Sequence, residues 1–353
     1  MASRVTIKEI AQLAGVNIST VSRALNPETS YKVSSSQREK IISLCNQYNY
    51  RPRVAARGCA TGKTFHVALM LGAITKDLSS PFQALFIKGA CSVLQAAGYT
   101  LSILWTEENP DKRDDVVKNF LMSEIADGYI LGAPLLTAQT MENFSNLHPI
   151  LSFKSIQKDL DNDFFTLSFD PLTSFKKIWQ VIPKELEENI IFTGPISYNT
   201  QRKYELFSSC SPKGKLVKTL FFNPQQEHCA FHYDYLCARN FFNNNYQSFI
   251  DAKLIVCSSD LIAHALCDEL TFRGKKVGSD IFVLGYDNLE NTTPYPGKKP
   301  YLSTIDPHWE EAGRASAAFI LDAIKKTKNE NLRNTSIESS YICRESFPFD
   351  VCK

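Results

Sequence analysis

The side chains best suited to recognition in this chain lie in one short run near its start. Ile18, Ser19, Ser22 and Arg23 recur at the spacing of one helical face and combine an apolar contact, two hydroxyls and a guanidinium. Such groups can read polar edges in a groove and bind anionic oxygens. The chemistry they favour is therefore non-covalent recognition, provided that helices hold them outward.

Two short helices separated by a tight turn are predicted to hold that face. Thr6 and Glu9 have the spacing of a capping box at the first helix, and Gly15 ends it where a left-handed backbone costs least. Asn17 is a suitable cap for the second helix. The apolar positions that pack the two helices together are Ile7, Ile10, Ala11, Ala14, Val21, Ala24 and Leu25. This pattern is that of a helix-turn-helix, whose second helix places its first residues in the major groove of DNA.

A third helix is predicted from Ser34, with Gln37 as a second capping box, through Ile41, Ile42 and Leu44 to about Tyr48. The charge distribution agrees with this interpretation. Residues 1–64 carry ten Lys or Arg and three acidic residues, whereas the rest of the chain carries 29 basic and 34 acidic residues. A basic segment joined to an acidic body is typical of a phosphate-contacting module attached to a second domain.

The remaining chain, from residue 65, alternates short apolar runs with helical stretches, which predicts parallel sheets covered on both faces. About 290 residues exceed one ordinary sheet, so two similar lobes are expected. The predicted helices include 82–97 and 261–273, ended by Gly98 and Gly274. The predicted strands are 67–71, 100–104, 128–131, 150–153, 190–193, 215–222, 254–257 and 281–285.

Several other function classes find no support. Residues 58–64 end like a phosphate-binding loop, but only three residues separate the glycines where that motif needs four. His228 and His232 stand four apart without an adjacent glutamate or an obvious third metal ligand, and no Gly-x-Ser-x-Gly elbow occurs. We therefore expect no catalysis, no metal and no cofactor. Ten scattered cysteines without Cys-x-x-Cys spacing indicate reduced thiols, and the lack of a signal peptide or long apolar run predicts a cytoplasmic protein without a membrane partner.

The first sixty residues resemble the headpiece of the lactose-repressor (LacI) family of bacterial transcription regulators. The matching segments are Thr-Ile-Lys-Glu-Ile-Ala at 6–11, Ala-Gly-Val at 14–16, Thr-Val-Ser-Arg at 20–23 and Tyr-Arg-Pro at 50–52. Further matches follow at 77–82, 126–131, 258–261, 283–288, 302–305 and 313–314, and the stretch 155–250 matches loosely. The resemblance implies an all-α helix-turn-helix headpiece followed by a periplasmic-binding-protein-like α/β core. Its two doubly wound parallel-sheet lobes would be joined by crossovers.

The resemblance divides the chain into a headpiece at 1–50, a hinge helix at 51–64 and a two-lobed effector-binding and dimerisation domain at 65–353. In the family a hinge leucine wedges into the minor groove and kinks the site. Cys59 occupies that position here, after Gly58, which weakens a helix by about 1 kcal/mol relative to Ala, so weaker kinking is expected. The DNA-binding residues expected from these considerations are Thr6, Asn17, Ile18, Ser19, Thr20, Ser22, Arg23, Arg57 and Cys59.

A ligand between such lobes lies outside the carboxyl ends of strands, where loops supply polar groups and aromatic rings. By position in the family pattern, the effector-binding candidates are Ser80, Phe82, Gln83, Arg202, Lys203, Ser259, Asp260, Asp287 and Trp309. Structural roles compete with this prediction: Asp260 as a helix cap, Phe82 as core and Trp309 as packing between lobes. Serines at 80 and 259, where the family usually has asparagine, leave the identity of the ligand open.

The resulting hypothesis is a ligand-responsive repressor that binds a pseudo-palindromic double-stranded operator as a homodimer and responds to a small molecule, with a carbohydrate favoured and a nucleobase second. The chain lacks a terminal heptad run, so no coiled-coil tetramer is expected. Two alternatives remain at this point. One is a binding protein whose headpiece has lost DNA binding, and the other is an enzyme on the same α/β scaffold.

Overall fold

The computed structural model describes residues 5–26, 29–52, 54–71, 81–106, 110–132, 144, 147–153, 165–212, 215, 217–223, 235–291, 299–325 and 334–350. The chain divides into two compact units, Met1–Phe65 and His66–Lys353. None of the helices in the described ranges is both long and apolar enough to cross a bilayer.

The first unit is entirely helical. Its helices are α1 (Ile7–Ala14), α2 (Ile18–Leu25), α3 (Ser35–Gln47) and α4 (Val54–Thr61). Ile10, Val21 and Ile41 are completely buried, one from each of the first three helices, so these helices share one small core. Gly15 has a φ of 68°, which is the left-handed turn predicted between α1 and α2.

The two predicted capping boxes have different outcomes. At α1 the Thr6 hydroxyl accepts from the Glu9 amide, and the Glu9 carboxylate accepts from the Thr6 amide at 2.7 Å. The box predicted at Ser34 is wrong: within the fully described helix α3, the Ser34 side chain makes no cap hydrogen bond. Ser34 is exposed, so water can satisfy the amides at this helix start. Asn17 likewise precedes α2 without a side-chain cap hydrogen bond.

The second unit contains twelve strands in its described residues. They are β1 (His66–Leu71), β2 (Thr100–Trp105), β3 (Gly128–Leu131), β4 (Ile150–Phe153), β5 (Phe165–Asp170), β6 (Ile190–Pro195), β7 (Lys218–Phe222), β8 (Leu254–Cys257), β9 (Phe282–Leu284), β10 (Thr304–Asp306), β11 (Asn334–Glu338) and β12 (Ser340–Ile342). Two parallel sheets result, one in the order β11-β5-β4-β3-β1-β2 and one in the order β7-β6-β8-β9, and β10 pairs antiparallel with β12.

Both faces of the four-stranded sheet are buried. On β6, Ile191 packs into one apolar cluster, while Ile190 and Phe192 pack into another, because successive side chains point to opposite faces. The predicted architecture of two parallel α/β lobes is confirmed. The chain leaves the first sheet after β5 and returns to it at β11, so the lobes are connected by crossovers.

Helices of the second unit cover these sheets. They are α5 (Pro81–Ala96), α6 (Pro110–Met122), α7 (Leu172–Val181), α8 (Tyr198–Ser209), α9 (Tyr235–Asn244), α10 (Asp260–Phe272) and α11 (Trp309–Ile324). Helices α5 and α11 cross in direct backbone contact. A Cβ added to Gly89 would lie 2.0 Å from the Glu310 carbonyl oxygen, and one added to Gly313 would lie 2.0 Å from the Phe86 carbonyl oxygen.

The predicted strands all exist, but several bounds differ. The strand predicted from residue 215 begins at Lys218, and the one predicted at 281–285 spans only Phe282–Leu284. Strands β5, β10, β11 and β12 were not predicted. Two of these contain only three residues each, too few for alternation to distinguish a strand from a loop.

Candidate functional site

The outer face of α2 is open to solvent. Ile18, Ser19, Ser22 and Arg23 are all exposed, and Ile18 keeps 47% of its surface accessible, while Val21 points into the core. Asn17 is exposed at the start of this helix, and Thr20 is half-buried. An exposed isoleucine flanked by hydroxyls suits contact with a thymine methyl and neighbouring base edges.

A hydrogen bond from α3 holds the end of α1, just before the turn that leads into α2. Lys40 of α3 donates to the carbonyl oxygen of Ala14 at 3.0 Å, at the end of α1 and immediately before the Gly15 turn. Thr6 stays exposed at the start of α1, although its hydroxyl is engaged with Glu9. The two ends of α1 are thus held, its start by the Thr6–Glu9 box and its end by Lys40.

The predicted hinge segment is helical in the structure. Cys59 is exposed on α4, and the Arg57 guanidinium lies over the Phe65 ring at 3.4 Å. The structure explains why position 58 is a glycine, which the sequence alone does not: a Cβ there would lie 2.6 Å from the Lys63 carbonyl oxygen. Gly58 also accepts from the Gly62 amide at 2.8 Å, so its small size lets the chain turn closely over the end of α4.

Aromatic rings form one wall of a second candidate site, in the larger unit. Trp309, at the start of α11, contacts Phe82 of α5 at 4.8 Å and Phe169 of β5 at 4.4 Å between ring centroids. Phe169 in turn stacks on Phe153 at 6.0 Å, with 6° between the planes. Phe153 and Phe169 lie at or near the carboxyl ends of their strands, where ligands of parallel sheets bind.

A lysine and an aspartate supply the polar part of this site. Lys203 of α8 donates to the Ser258 carbonyl oxygen at 2.8 Å, and its ammonium lies 3.5 Å from the ring centroid of Tyr286. Asp287 follows Tyr286, beyond the end of β9, and interacts electrostatically with Lys203. Of the two cations predicted here, Arg202 instead pairs with Glu205 at 3.2 Å on the half-exposed side of α8.

Burial dominates the electrostatics of this pair. It raises the pKa of Asp287, against the opposing influence of Lys203, and Asp260 adds to the increase. Burial also lowers the pKa of Lys203, because the ammonium group is shielded from water even though the residue as a whole is only half-buried. The negative charges of Asp287 and Asp260 oppose this decrease. A carboxyl group and an amine are thus held where water solvates neither well, so a hydrogen bond from a ligand hydroxyl to either of them is stronger than it would be in water.

Asp287 sits in strained backbone. Its φ is 115° and that of Asn288 is 54°, both in the region that favours glycine. His308, just before Trp309, has a φ of 60°. Such conformations cost about 1 to 3 kcal/mol each, and they persist only where surrounding contacts determine them.

Two predicted site residues support this loop from behind. The Asp260 carboxylate is completely buried, and it accepts from the Leu289 amide at 2.7 Å and from the Thr304 hydroxyl at 2.6 Å. Ser259 caps α10 by accepting from the Ile262 amide. The cap is therefore Ser259, and Asp260 holds the loop that carries Asp287.

Three polar atoms of the predicted set are buried without a hydrogen-bond partner in the described residues. They are Oε1 of Gln83, Nε of Arg202 and Nε1 of Trp309. The Trp309 indole N–H faces Asp287 and lowers the pKa of that carboxyl group, without completing a hydrogen bond of good geometry. A ligand that donates to Gln83 and accepts from Trp309 would satisfy two of these three atoms.

The remaining predictions fall outside this cluster. Ser80 and the pair His228 and His232 lie outside the described residues. No group of three or more metal-ligating side chains occurs within the described ranges. Sequence reasoning missed Phe153, Phe169 and Tyr286, and the only available signal was that each stands at the end of an apolar run.

Both regions of the chain match models of known protein families. Residues 6–53 match the family model described as bacterial regulatory proteins of the lacI family, and residues 202–347 match a periplasmic binding protein-like domain. Together the matches cover the helix-turn-helix and most of the region containing Lys203, Asp287 and Trp309.

Relatives match along nearly the whole chain. The ribose operon repressor of Bacillus subtilis is 26% identical over 97% of this chain and 98% of its own. The transcriptional repressor PurR of Photobacterium profundum is 27% identical with the same coverage. Among solved structures, a lac repressor dimer bound to operator and the anti-inducer ONPF superposes with a TM-score of 0.77 at 18% identity, covering 98% of this chain and 100% of that one.

Proposed function

We propose that this chain, which belongs to the lacI family of bacterial regulatory proteins, represses genes by binding a pseudo-palindromic operator as a homodimer, under the control of a small molecule. As a member of that family it is a DNA-binding transcriptional regulator and not an enzyme. The observation that carries the proposal is the pairing of an exposed recognition helix in one unit with a cluster of buried, partly unsatisfied polar groups and aromatic rings in the other.

The DNA side of the proposal assigns roles along α2. Ile18 and Ser19 contact thymine methyls and base edges, and Arg23 pairs with guanine through two hydrogen bonds. Contacts to phosphates come from Thr6, Asn17, Thr20 and Ser22. All of these residues lie on the basic first unit, whereas the rest of the chain carries more acidic than basic residues.

The proposed stoichiometry follows from the size of this surface. One eight-residue helix reaches few base pairs, whereas two copies related by a two-fold axis read two half-sites about one helical turn apart. The exposed Cys59 of α4 supplies a smaller apolar wedge than the leucine of the family pattern, with Arg57 beside it for the backbone. Kinking by this segment is accordingly weaker, and more specificity rests on α2.

The proposed effector is a carbohydrate. An aromatic wall formed by Phe82, Phe169 and Trp309 suits the apolar face of a sugar ring, while Asp287 and Lys203 suit its hydroxyls. The Gln83 side-chain oxygen, which has no hydrogen-bond partner in the described residues, can accept a hydrogen bond from a sugar hydroxyl. Relatives whose names specify ribose, and a solved complex of CelR with cellobiose, supply the first sugars to try.

A titration of full-length protein against fluorescently labelled genomic fragments tests DNA binding. We expect one or a few upstream fragments to bind about a thousandfold or more tighter than bulk DNA at physiological salt. Equal binding to all fragments at that salt concentration would contradict the proposal.

A thermal-shift screen with D-ribose, cellobiose and other neutral sugars, each with and without the selected DNA fragment, tests the effector. A bound sugar at a hundred times its dissociation constant adds about 2.7 kcal/mol to the free energy of unfolding. The same sugar should change DNA affinity, because binding that differs between two protein states shifts their equilibrium. A sugar that binds without changing DNA affinity would refute the regulatory part of the proposal.

A further inference from the structure

The loop that carries Asp287 is contacted by a guanidinium from the far end of the chain. Arg344, shortly after β12, donates from Nη2 to Asn288 Oδ1 at 2.6 Å and from Nη1 to the Leu302 carbonyl oxygen at 2.8 Å. Its Nη1 also lies 3.6 Å from the Glu290 carboxylate, and its side chain is only 11% exposed. One planar group thus reaches three acceptors on both sides of the loop.

Arg344 is itself held in place by its backbone. Its amide donates to the Ser303 hydroxyl at 2.8 Å, and that hydroxyl donates to the Arg344 carbonyl oxygen at 2.9 Å. Two residues later, Ser346 accepts from the Ser303 amide at 2.7 Å and donates to the Val283 carbonyl oxygen at 2.7 Å. These bonds dock the segment 344–347 against β9, from which the loop emerges.

Asn288 transmits this contact to the strained residue. While Oδ1 accepts from Arg344, Nδ2 donates to the Asp306 carboxylate at 2.8 Å, and the Asn288 amide donates to Thr304 at 3.3 Å. Arg344, Asp306 and Thr304 therefore fix Asn288, whose backbone has a positive φ and which directly follows the strained Asp287. Without the arginine, one of the two side-chain anchors of Asn288 is lost.

We propose that Arg344 is a positioning residue for the effector site: by clamping Asn288 and Glu290, it holds Asp287 in its strained conformation beside Lys203 and Trp309, without itself contacting the effector. This inference rests on the proposed function, in which Asp287 binds the effector. The shape of the side chain matters as much as its charge, because a lysine ammonium cannot reach Asn288 and Leu302 with the geometry of a planar fork.

The experiment is a pH titration of intrinsic tryptophan fluorescence in the full chain without ligand. Ionisation of Asp287 beside the Trp309 indole gives an inflection, and Asp287→Asn supplies the trace from which that inflection is missing. The other charged or titratable groups that interact with Asp287 are Lys203, Asp260, Asp306 and the neighbouring Tyr286. The variants are Arg344→Met and Arg344→Lys, with Arg273→Met as the matched control, because Arg273 pairs with Glu269 at the end of α10.

Loosening the loop admits water to Asp287 and relieves the burial that raises its pKa. We expect the inflection to move down by about one pH unit in Arg344→Met, by less in Arg344→Lys, and not at all in Arg273→Met. Loss of a nearby positive charge alone would move the inflection upward, so the direction separates positioning from electrostatics. If Arg344→Met does not fold, Arg344→Lys, which keeps the charge facing Glu290, decides the question by the same shift.

An inflection that stays in place in the folded Arg344 variants, or moves upward, overturns the inference. The titration needs no effector, so its result is independent of the sugar screen. If no sugar binds in the screen, the proposed effector class is refuted. A downward shift of the fluorescence inflection in Arg344→Met would still show that Arg344 holds Asp287 in place. A binding sugar combined with an unmoved inflection would refute only the role of Arg344.

Discussion

The recognition helix α2 and the loop that carries Asp287 differ in how their polar side chains are solvated. On α2, Ser19, Ser22 and Arg23 are exposed and belong to a regular helix whose ends are set within a few residues. Asp287 is buried, has a strained backbone and depends on partners as distant in sequence as Arg344. A surface for a long polyanion can stay solvated, since the DNA supplies the charge, whereas a site for a small ligand must desolvate its polar groups in advance.

The comparison predicts different costs of losing a polar group in each region. Removing an exposed side chain from α2 should change binding and leave folding intact, because water replaces its contacts. Removing one from the loop should change binding and stability together, because its partners stay buried.

The largest effect is expected for Asp287→Asn, which keeps the shape of the side chain and removes its charge. Sugar affinity should fall about 10- to 150-fold, since hydrogen bonds to a charged group contribute about 1.5 to 3 kcal/mol. Isothermal titration with the sugar found by the thermal-shift screen measures this loss. Unchanged affinity would place the effector elsewhere.

The same substitution has a signature in the pH dependence of stability. The pKa of Asp287 is raised in the folded state, so its contribution to the free energy of unfolding is complete below the unfolded pKa and is lost as pH rises through the folded pKa. Asp287→Asn should make the slope of this free energy against pH less negative by up to about 1.4 kcal/mol per pH unit within that window. Urea unfolding at several pH values checks this, and parallel curves for the two proteins would contradict it.

Next in size is Arg23→Ala on α2. Operator affinity should fall about 5- to 150-fold, the cost of about 1 to 3 kcal/mol for a paired guanine contact, with the melting temperature unchanged. Arg38→Ala is the matched control because Arg38 is exposed on α3, outside the recognition face. Equal losses of specific binding in both variants would mean that charge alone, and not base recognition, supplies the affinity.

A smaller effect is expected for Trp309→Phe, which keeps an aromatic ring and removes the indole N–H. Because that N–H faces Asp287 without completing a hydrogen bond of good geometry, the apoprotein should lose little stability, whereas sugar affinity should fall about 2- to 10-fold. Paired calorimetry and thermal melts separate the two quantities. A lower melting temperature with full sugar affinity would assign Trp309 to packing.

The smallest effect separates two helix starts within the first unit. Thr6→Ala should cost about 1 kcal/mol of stability because it removes a formed capping box, whereas Ser34→Ala should cost only a few tenths of a kcal/mol. Denaturation of the first unit followed by helical circular dichroism compares them directly. Equal costs would show that Ser34 caps α3 in solution.

The headpiece could be predicted from the sequence because its determinants are local. Thr6, Glu9 and Gly15 act within a few residues of each other, and the structure confirms their roles. The error at Ser34 has the same origin: spacing establishes that a cap is possible, but not that it outcompetes water. The short strands β10 and β12 escaped prediction because they exist only by pairing with each other across more than thirty residues.

The candidate effector site could be predicted only in part. Phe82, Lys203, Asp287 and Trp309 were selected by position, and the structure brings them into one region. Their spacing could not distinguish Lys203 from Arg202, since neighbouring helical residues differ by about 100° in direction. Arg344 has no local sequence signal, because the partners of its side chain are 42 to 56 residues away along the chain.

The glycine crossing of α5 and α11 bears on how such a sensor changes specificity over evolution. Neither Gly89 nor Gly313 can accept a side chain without moving backbone, so these two positions should be immutable in any library of variants. Phe82 and Trp309, at the starts of the same two helices, contact each other through their rings. Directed evolution can therefore substitute the aromatic residues to fit a new ligand while the backbone contact between α5 and α11 stays unchanged. We expect variants with new specificities to retain both glycines of this crossing.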